Sequence, residues 1–179
     1  MRGFVFRALV LVPFLLPTTL LAQQGLPAPA PELKKLEMFT GEWSSEGTMI
    51  LGPPGTPPTK WTATSHGEWM EGNFFLVEHT DMDLSPVAKG KELAVMGFDA
   101  DKKVYTYKSF SSMGQAEDST GTVDGSTWTW LSDEHYGGMN MKGRYTMKIL
   151  SPTSYTLKFE MSPDGNTWTT VMEGKATKK

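Results

Sequence analysis

The sequence contains no cysteine among its 179 residues. It therefore has no disulfide framework, no catalytic thiolate, no cysteine-ligated metal and no lipid anchor on an N-terminal cysteine. Basic residues are also in the minority, with 17 Lys+Arg against 20 Asp+Glu, and they form no cluster. This charge pattern predicts no nucleic-acid partner and no binding to an anionic membrane surface.

Long apolar runs are missing except near the N-terminus. Two arginines, Arg2 and Arg7, precede an apolar stretch over residues 8–21 that contains two prolines. A membrane-spanning helix needs about 20 apolar residues, so this stretch is too short and too interrupted to span a membrane. The pattern predicts a secretory signal peptide, Met1–Ala22, cleaved near Ala22. We therefore expect a secreted or periplasmic protein with no membrane anchor after cleavage.

The rest of the chain predicts a single domain. Residues 23–31 are rich in proline and alanine, which is typical of an extended linker. A short helix is expected over Pro31–Phe39, because proline favours the first helical position and Gly41 favours its end. From residue 32 to residue 179 no other sequence signal separates domains, and this length is enough to bury a core.

Alternation with period two predicts strands throughout the domain. In the segment 139–149, for example, every second residue from Met139 is apolar, tyrosine or glycine, and the residues between them are polar. About ten such segments are separated by turn residues. The predicted strands are Glu42–Leu51, Lys60–Met70, Asn73–Leu84, Glu92–Phe98, Lys103–Ser111, Gln115–Val123, a strand around Trp128 and Trp130, Met139–Ile149, Tyr155–Met161 and Thr167–Lys175.

The short connections favour antiparallel neighbours. Asp124-Gly125 is a tight hairpin turn, and Ser162-Pro163-Asp164-Gly165 is another. No connection is long enough for a crossover helix. We therefore predict an all-β fold, an antiparallel up-and-down β-barrel whose closure removes exposed strand edges, with a sandwich as the alternative. The helix is expected to cover one end of the barrel.

Several motifs resemble those of a known family. They are Leu36–Trp43, the Gly-Pro-Pro-Gly loop at 52–55, Gly67–Leu76, Met96–Tyr105 and Pro163-Asp164-Gly165. Together they resemble the uncharacterised family of secreted bacterial proteins numbered fifteen seventy-nine among the domains of unknown function. The Gly41-Glu42-Trp43 step also resembles the start of the calycin barrels, which include lipocalins. The resemblance implies a lipocalin-like barrel without an established activity.

The three histidines give weak evidence for a metal or haem site. By alternation, His66 belongs to the polar face of its strand, and His79 shares the inward face with Phe75 and Val77. Opposite faces exclude shared metal ligation, so we predict no metal site. A haem would need an axial histidine in an apolar cavity, and only His79 is a candidate. No motif supports that role, and we predict no cofactor.

Methionine is unusually frequent, with 12 in the sequence. Six of them fall on predicted inward faces, where thioethers either fill a core or line a deformable apolar cavity. Copper binding is a third alternative, but it requires a tighter cluster of Met and His. The preferred hypothesis is a small apolar or amphipathic ligand inside the barrel. The predicted ligand-binding residues are Trp43, His79, Met139, Met141, Tyr145, Met147, Phe159 and Met161.

Two other functions stay open at this point. One is a structural or interaction barrel with a filled interior. The other is an enzyme on the same fold that uses inward polar groups such as His79, Tyr107 or Arg144. No catalytic motif supports the enzyme, and no catalytic residue is predicted. The carboxylates of Asp118, Asp133, Glu134 and Glu160 are expected to be mostly solvated.

Overall fold

The structure, a computed structural model, describes residues 28–52, 55–136 and 138–179. The predicted signal peptide, Met1–Ala22, and the first residues of the predicted linker lie outside the described residues. Within these described ranges, one helix, Pro31–Phe39, precedes ten strands. These are β1 Gly41–Met49, β2 Thr59–Trp69, β3 Leu76–Asp83, β4 Lys89–Asp99, β5 Val104–Ser111, β6 Ala116–Asp124, β7 Thr127–Tyr136, β8 Met139–Ser151, β9 Ser154–Ser162 and β10 Thr169–Lys178.

The ten strands close into one antiparallel barrel. Each strand pairs with its neighbour in sequence, and β10 returns to pair with β1. This closing ladder runs from Trp43 opposite Lys178 to Met49 opposite Met172. The predicted up-and-down barrel is confirmed, and the sandwich alternative is excluded because closure leaves no free edge in the sheet.

The clearest boundary error in the predicted strands is the start of β3. We predicted its start at Asn73, but the strand begins at Leu76. Asn73 has φ 57°, a left-handed conformation that a strand does not contain. The Met70 N–H also donates to the Phe75 carbonyl, so residues 71–74 form the turn.

The helix forms with the predicted bounds, and it is a 3₁₀ helix. Its buried residues are Leu33, Leu36 and Phe39. Three residues complete one turn of a 3₁₀ helix, so this spacing places all three side chains in one row. The row faces the barrel and covers one end of it. No helix in the described ranges is long and apolar enough to cross a membrane.

Polar atoms of aromatic residues tie the helix to the barrel. Trp69 donates its indole N–H to the Glu37 carboxylate over 2.7 Å, and the Tyr105 hydroxyl donates to the Glu32 carbonyl over 2.9 Å. Buried tryptophan and tyrosine usually bond their polar atom in this way while their rings pack. The helix is therefore fixed by hydrogen bonds as well as by apolar contact.

A packed, mainly aromatic cluster fills the end of the barrel interior that the helix covers, and we call this cluster the floor. Trp128 is its centre, with ring centroids of Tyr105 at 4.6 Å, Phe39 at 5.3 Å and Trp130 at 5.9 Å. Its members are fully or almost fully buried. They are Leu33, Leu36, Phe39, Trp43, Tyr105, Trp128, Trp130, Met147, Tyr155 and Leu157.

Candidate functional site

The inside of the barrel changes character above the floor. There most of the large inward-facing side chains are only partly buried, although the barrel wall surrounds them, whereas small neighbours such as Ala94, Ser109 and Ser119 are buried. Solvent therefore reaches the interior from the end opposite the helix. We call this region the upper lumen. It is lined by Glu78, Glu92, Tyr107, Glu117, Glu134, Met141, Tyr145, Phe159 and Met161.

Four glutamates on β3, β4, β6 and β7 form the acidic side of the upper lumen. Glu78 and Glu92 are diagonal neighbours, because Glu78 lies opposite Ala94 in the β3–β4 ladder. Ser65 forms a side-chain hydrogen bond with Glu78. Tyr107 donates its hydroxyl proton to Glu92 Oε1 over 2.7 Å.

The other two glutamates have the same kind of partner. Glu117 and Glu134 lie just beyond the last pair of the β6–β7 ladder, Ser119 opposite Ser132. Ser119 donates its hydroxyl proton to Glu117, and Ser132 donates to Glu134 Oε1 over 2.6 Å. Within the described ranges, no lysine, arginine or histidine forms an ion pair with any of the four.

The electrostatics reflect these unbalanced charges. Burial raises the pKa of the Glu78 carboxyl, the Ser65 hydrogen bond only partly offsets this, and the nearby charge of Glu92 adds to it. Burial also raises the pKa of Glu117, with further contributions from the charges of Glu134 and Glu92. Carboxyl groups whose pKa is raised by burial and by the charges of their neighbours hold their protons more tightly than exposed carboxyl groups do.

The opposite side of the upper lumen is apolar. Met141, Tyr145, Phe159 and Met161 lie on β8 and β9, and the ladder pairs Tyr145 with Phe159. The ring centroids of these two residues are 6.4 Å apart. The upper lumen is therefore amphipathic, with carboxylates on one wall and aromatic and thioether groups on the other.

Comparison with known proteins agrees with this architecture. Residues 28–178 match the family described as "Protein of unknown function (DUF1579)". The chain belongs to the DUF1579 family. The predicted resemblance is thereby confirmed. A comparison with curated protein sequences finds no significant match.

Two solved structures share the fold of this DUF1579 protein. Rv2717c from M. tuberculosis is 12% identical, with a TM-score of 0.57 over 84% of this chain and 99% of that one. The S-type phycobiliprotein lyase CPES from Guillardia theta is 10% identical, with a TM-score of 0.53 over 82% of this chain and 91% of the lyase. These neighbours have lipocalin-like barrels, and at this identity the likeness concerns the fold alone.

The structure brings together half of the predicted ligand-binding residues of the DUF1579 protein. Met141, Tyr145, Phe159 and Met161 all face the upper lumen. Met139 begins β8 at the rim of the barrel, where 60% of its surface is exposed. The rim position follows from the strand boundary, because β8 starts at this residue.

Two other predicted ligand-binding residues belong to the floor. Trp43 packs with its ring centroid 5.0 Å from that of Tyr155 and donates its indole N–H to the Thr40 carbonyl, so it helps to close the end of the barrel. Met147 is only 7% exposed and lies between Trp128 and Leu157 in the ladders. Neither side chain lines the upper lumen.

The prediction that His79 faces inward is wrong. Glu78 occupies the inward position, and His79 is exposed on the outside of β3, directly opposite His66. The error arose because β3 starts later than predicted, so Phe75 is exposed and does not indicate the buried face. His66 contacts Glu42 through Nδ1 at 2.7 Å. No group of three potential metal ligands occurs among the described residues.

Arg144 also points outward, whereas Tyr107 faces inward as predicted. On the outer wall, Arg144 pairs with Glu160 at 2.9 Å, and its guanidinium lies 4.1 Å from the centre of the Trp168 ring. Lys158 contacts the same carboxylate at 2.8 Å. Glu160 is therefore a buried and fully paired carboxylate rather than a solvated one. Arg144 therefore contributes no polar group to the barrel interior, contrary to what the enzyme hypothesis assumed.

The acidic wall was missed by the sequence analysis. We expected Glu134 to be solvated and did not consider Glu78, Glu92 or Glu117. The signal was nevertheless present, because each glutamate shares the alternation of buried neighbours on its strand. Glu134, for example, continues the inward series of Trp128, Trp130 and Ser132.

An open depression of about 960 Å³ on the outer wall is a second candidate region. It lies against β1 to β4 and β10. Two of its three lysines, Lys89 and Lys91, already pair with Asp83 at 2.7 Å and Asp81 at 2.6 Å. These pairs leave less free charge for a ligand than the upper lumen offers.

Substitutions of four methionines test where the packed floor ends and the upper lumen begins. Met147→Ala should lower the free energy of unfolding by about 2–5 kcal/mol, because it opens a cavity in the packed floor. Met139→Ala, Met141→Ala and Met161→Ala should each cost less than about 1.5 kcal/mol, below that packed-core range. Urea denaturation of the four variants measures the difference. Equal losses at Met141, Met147 and Met161 would show that the upper lumen is filled.

Proposed function

We propose that this protein binds a small amphipathic molecule in the upper lumen. The observation that carries the proposal is the contrast within one barrel. Floor residues such as Trp128 are fully buried, whereas inward residues above them, such as Phe159 and Met161, stay partly exposed. A barrel that served only as a scaffold would gain free energy by filling this space.

The two walls suit different parts of such a ligand. Apolar groups of the ligand would pack on Phe159, Met141 and Met161, where unbranched thioethers adapt to varied shapes. Polar groups would face the glutamates and the Tyr145 hydroxyl across the lumen. A concave site with an apolar surface and a few polar groups is the usual form of a small-molecule site.

Binding of a neutral apolar dye tests the proposal. N-phenyl-1-naphthylamine should bind one molecule per chain with increased fluorescence. Met161→Trp, which narrows the upper lumen, should reduce this binding at least about tenfold. Leu131→Trp is the matched control, because Leu131 is an exposed apolar residue on the outside of β7. Equal binding by both variants, or no binding by the parent protein, would refute the proposal.

We further propose that the protein acts after export, and that Met1–Ala22 is its signal peptide. The apolar stretch and the small residue at its end support this. Native mass spectrometry of protein purified from the cell envelope of its natural source addresses both proposals at once. We expect the mass of a polypeptide whose first residue lies near Gln23, together with the mass of a retained small molecule. An intact Met1 would contradict export.

A further inference from the structure

The four lumen glutamates are not explained by folding. Enclosed carboxylates without a basic partner lower stability, and each additional like charge increases the cost. Their hydroxyl partners, Ser65, Tyr107, Ser119 and Ser132, would bond a neutral glutamine equally well. When ionised, these carboxylates therefore supply negative charge to the lumen at the expense of stability.

Tyr145 gives a second and independent indication of a ligand. Its side chain is enclosed by the barrel, and the charges of Glu78, Glu92 and Glu117 act on its hydroxyl from across the lumen. That hydroxyl makes no hydrogen bond within the part of the chain that the structure describes. A phenol hydroxyl that lines the lumen and has no protein partner is available to bond a ligand, as donor or acceptor.

Aromatic faces complete the lining. The Tyr107 ring lies 5.7 Å from Trp130, and the Tyr145 ring lies 6.4 Å from Phe159. Aromatic faces attract an organic cation, most strongly in a partly desolvated site. No group of three or more carboxylates or histidines among the described residues is placed to hold a metal ion, and the aromatic and thioether walls offer such an ion no oxygen ligands.

We propose that the ligand is an amphipathic organic cation, with an ammonium group between Glu78, Glu92 and Glu117 and an apolar part against Met141 and Met161. This inference rests on the proposed binding function and names the class of ligand. The cation would neutralise the buried negative charge. Its apolar part would cover the exposed surface of β8 and β9.

A matched series of eight-carbon probes tests the charge preference. Octyltrimethylammonium, 1-octanol and octanoate share one chain length and differ in the charge of the head group. Each should displace N-phenyl-1-naphthylamine from the parent protein at pH 7.5, and isothermal titration calorimetry should give the dissociation constants. We expect the cation to bind at least about tenfold more tightly than the alcohol, and octanoate to bind most weakly.

Paired variants assign the charge to the lumen. Glu117→Gln should weaken binding of octyltrimethylammonium at least about fivefold and leave binding of 1-octanol unchanged. Asp118→Asn is the matched control, since Asp118 is the next residue on β6, faces outward and pairs with Lys108. It removes the same charge and should leave both affinities unchanged. Glu78→Gln is a second lumen variant with the same expected effects, so the test does not depend on a single variant.

The outcomes separate the two proposals. Binding of octanol or octanoate at least as tight as that of the cation would overturn the cation proposal and leave the binding function standing. Failure of all three probes to displace a dye that does bind would overturn the cation proposal alone, and failure of the dye itself to bind would overturn both. A cation preference that Glu117→Gln and Glu78→Gln leave unchanged would place the cation outside the acidic lumen, and this also overturns the inference.

Discussion

Trp128→Ala should lower the free energy of unfolding by about 3–5 kcal/mol. The indole is only 2% exposed, and it contacts three other aromatic rings in the floor, including Phe39 of the helix. Alanine would leave a large cavity beneath the helix. Since domains of this size are stable by about 5–15 kcal/mol, the variant should be close to unfolding.

Trp168→Ala is the control for the loss of an indole. Trp168 lies on the outer wall over the Arg144 guanidinium, and contacts of this kind contribute about 0.5–1 kcal/mol. We expect Trp168→Ala to lower the free energy of unfolding by less than about 1.5 kcal/mol. Urea unfolding followed by far-ultraviolet circular dichroism compares the two variants. Similar losses would show that the floor is not the main core of the protein.

Glu78→Gln should stabilise the ligand-free protein at pH 7.5 by about 1–3 kcal/mol, the usual cost of an uncompensated buried polar group. Burial raises the pKa of Glu78, the Ser65 hydrogen bond opposes this, and Glu92 adds to it. The folded carboxyl therefore holds its proton at pH values where the unfolded one has lost it. Stability falls as the pH rises from the ordinary value of 4.5 through the raised pKa.

Glu160→Gln is the matched variant, and we expect it to change the free energy of unfolding in the opposite direction. Burial disfavours its ionised form, but the hydrogen bonds and charges of Lys158 and Arg144 outweigh burial and lower the pKa of Glu160. Its stabilising contribution is complete above the ordinary value of 4.5 and disappears as the pH falls through the lowered pKa. We expect a loss of about 1 kcal/mol at pH 7.5.

Denaturation curves from pH 3 to pH 8 compare each variant with the parent protein. The difference at each pH removes the contributions of all other titrating groups. The gain from Glu78→Gln should vanish toward pH 4, and the loss from Glu160→Gln should shrink as its carboxylate is protonated. A destabilising Glu78→Gln at pH 7.5 would show that the lumen charge is already compensated.

The helix shows how much local sequence can determine. Its bounds were predicted because Pro31 starts it and because an apolar side chain recurs every third residue through Phe39. The same spacing matches the 3₁₀ period, although we did not specify the helix type. Tyr107 was likewise placed inward by alternation alone. These features depend on neighbours within a few residues.

His79 and the glutamates show where alternation fails. A shift of one residue in the assigned face moves every side chain of a strand to the other side of the sheet. Near Asn73 the turn is longer than its sequence suggests, and Phe75 is exposed despite being aromatic. The inward face was therefore assigned to the wrong set of residues on β3. His79 was placed inside, and Glu78 was overlooked.

By itself, the sequence determined the all-β class, a count of about ten strands and the helix, because periodicity and turn residues act locally. It favoured closure into a barrel but left a sandwich open, because closure depends on pairing between the first and last strands. Only the tertiary structure decided which carboxylates share the lumen. Glu78 and Glu134 are 56 positions apart in the chain, and their placement in the same lumen depends on strand register around the barrel. Whether an inward residue meets a packed floor or an open lumen likewise depends on its height along the barrel. Alternation carries no information about that height.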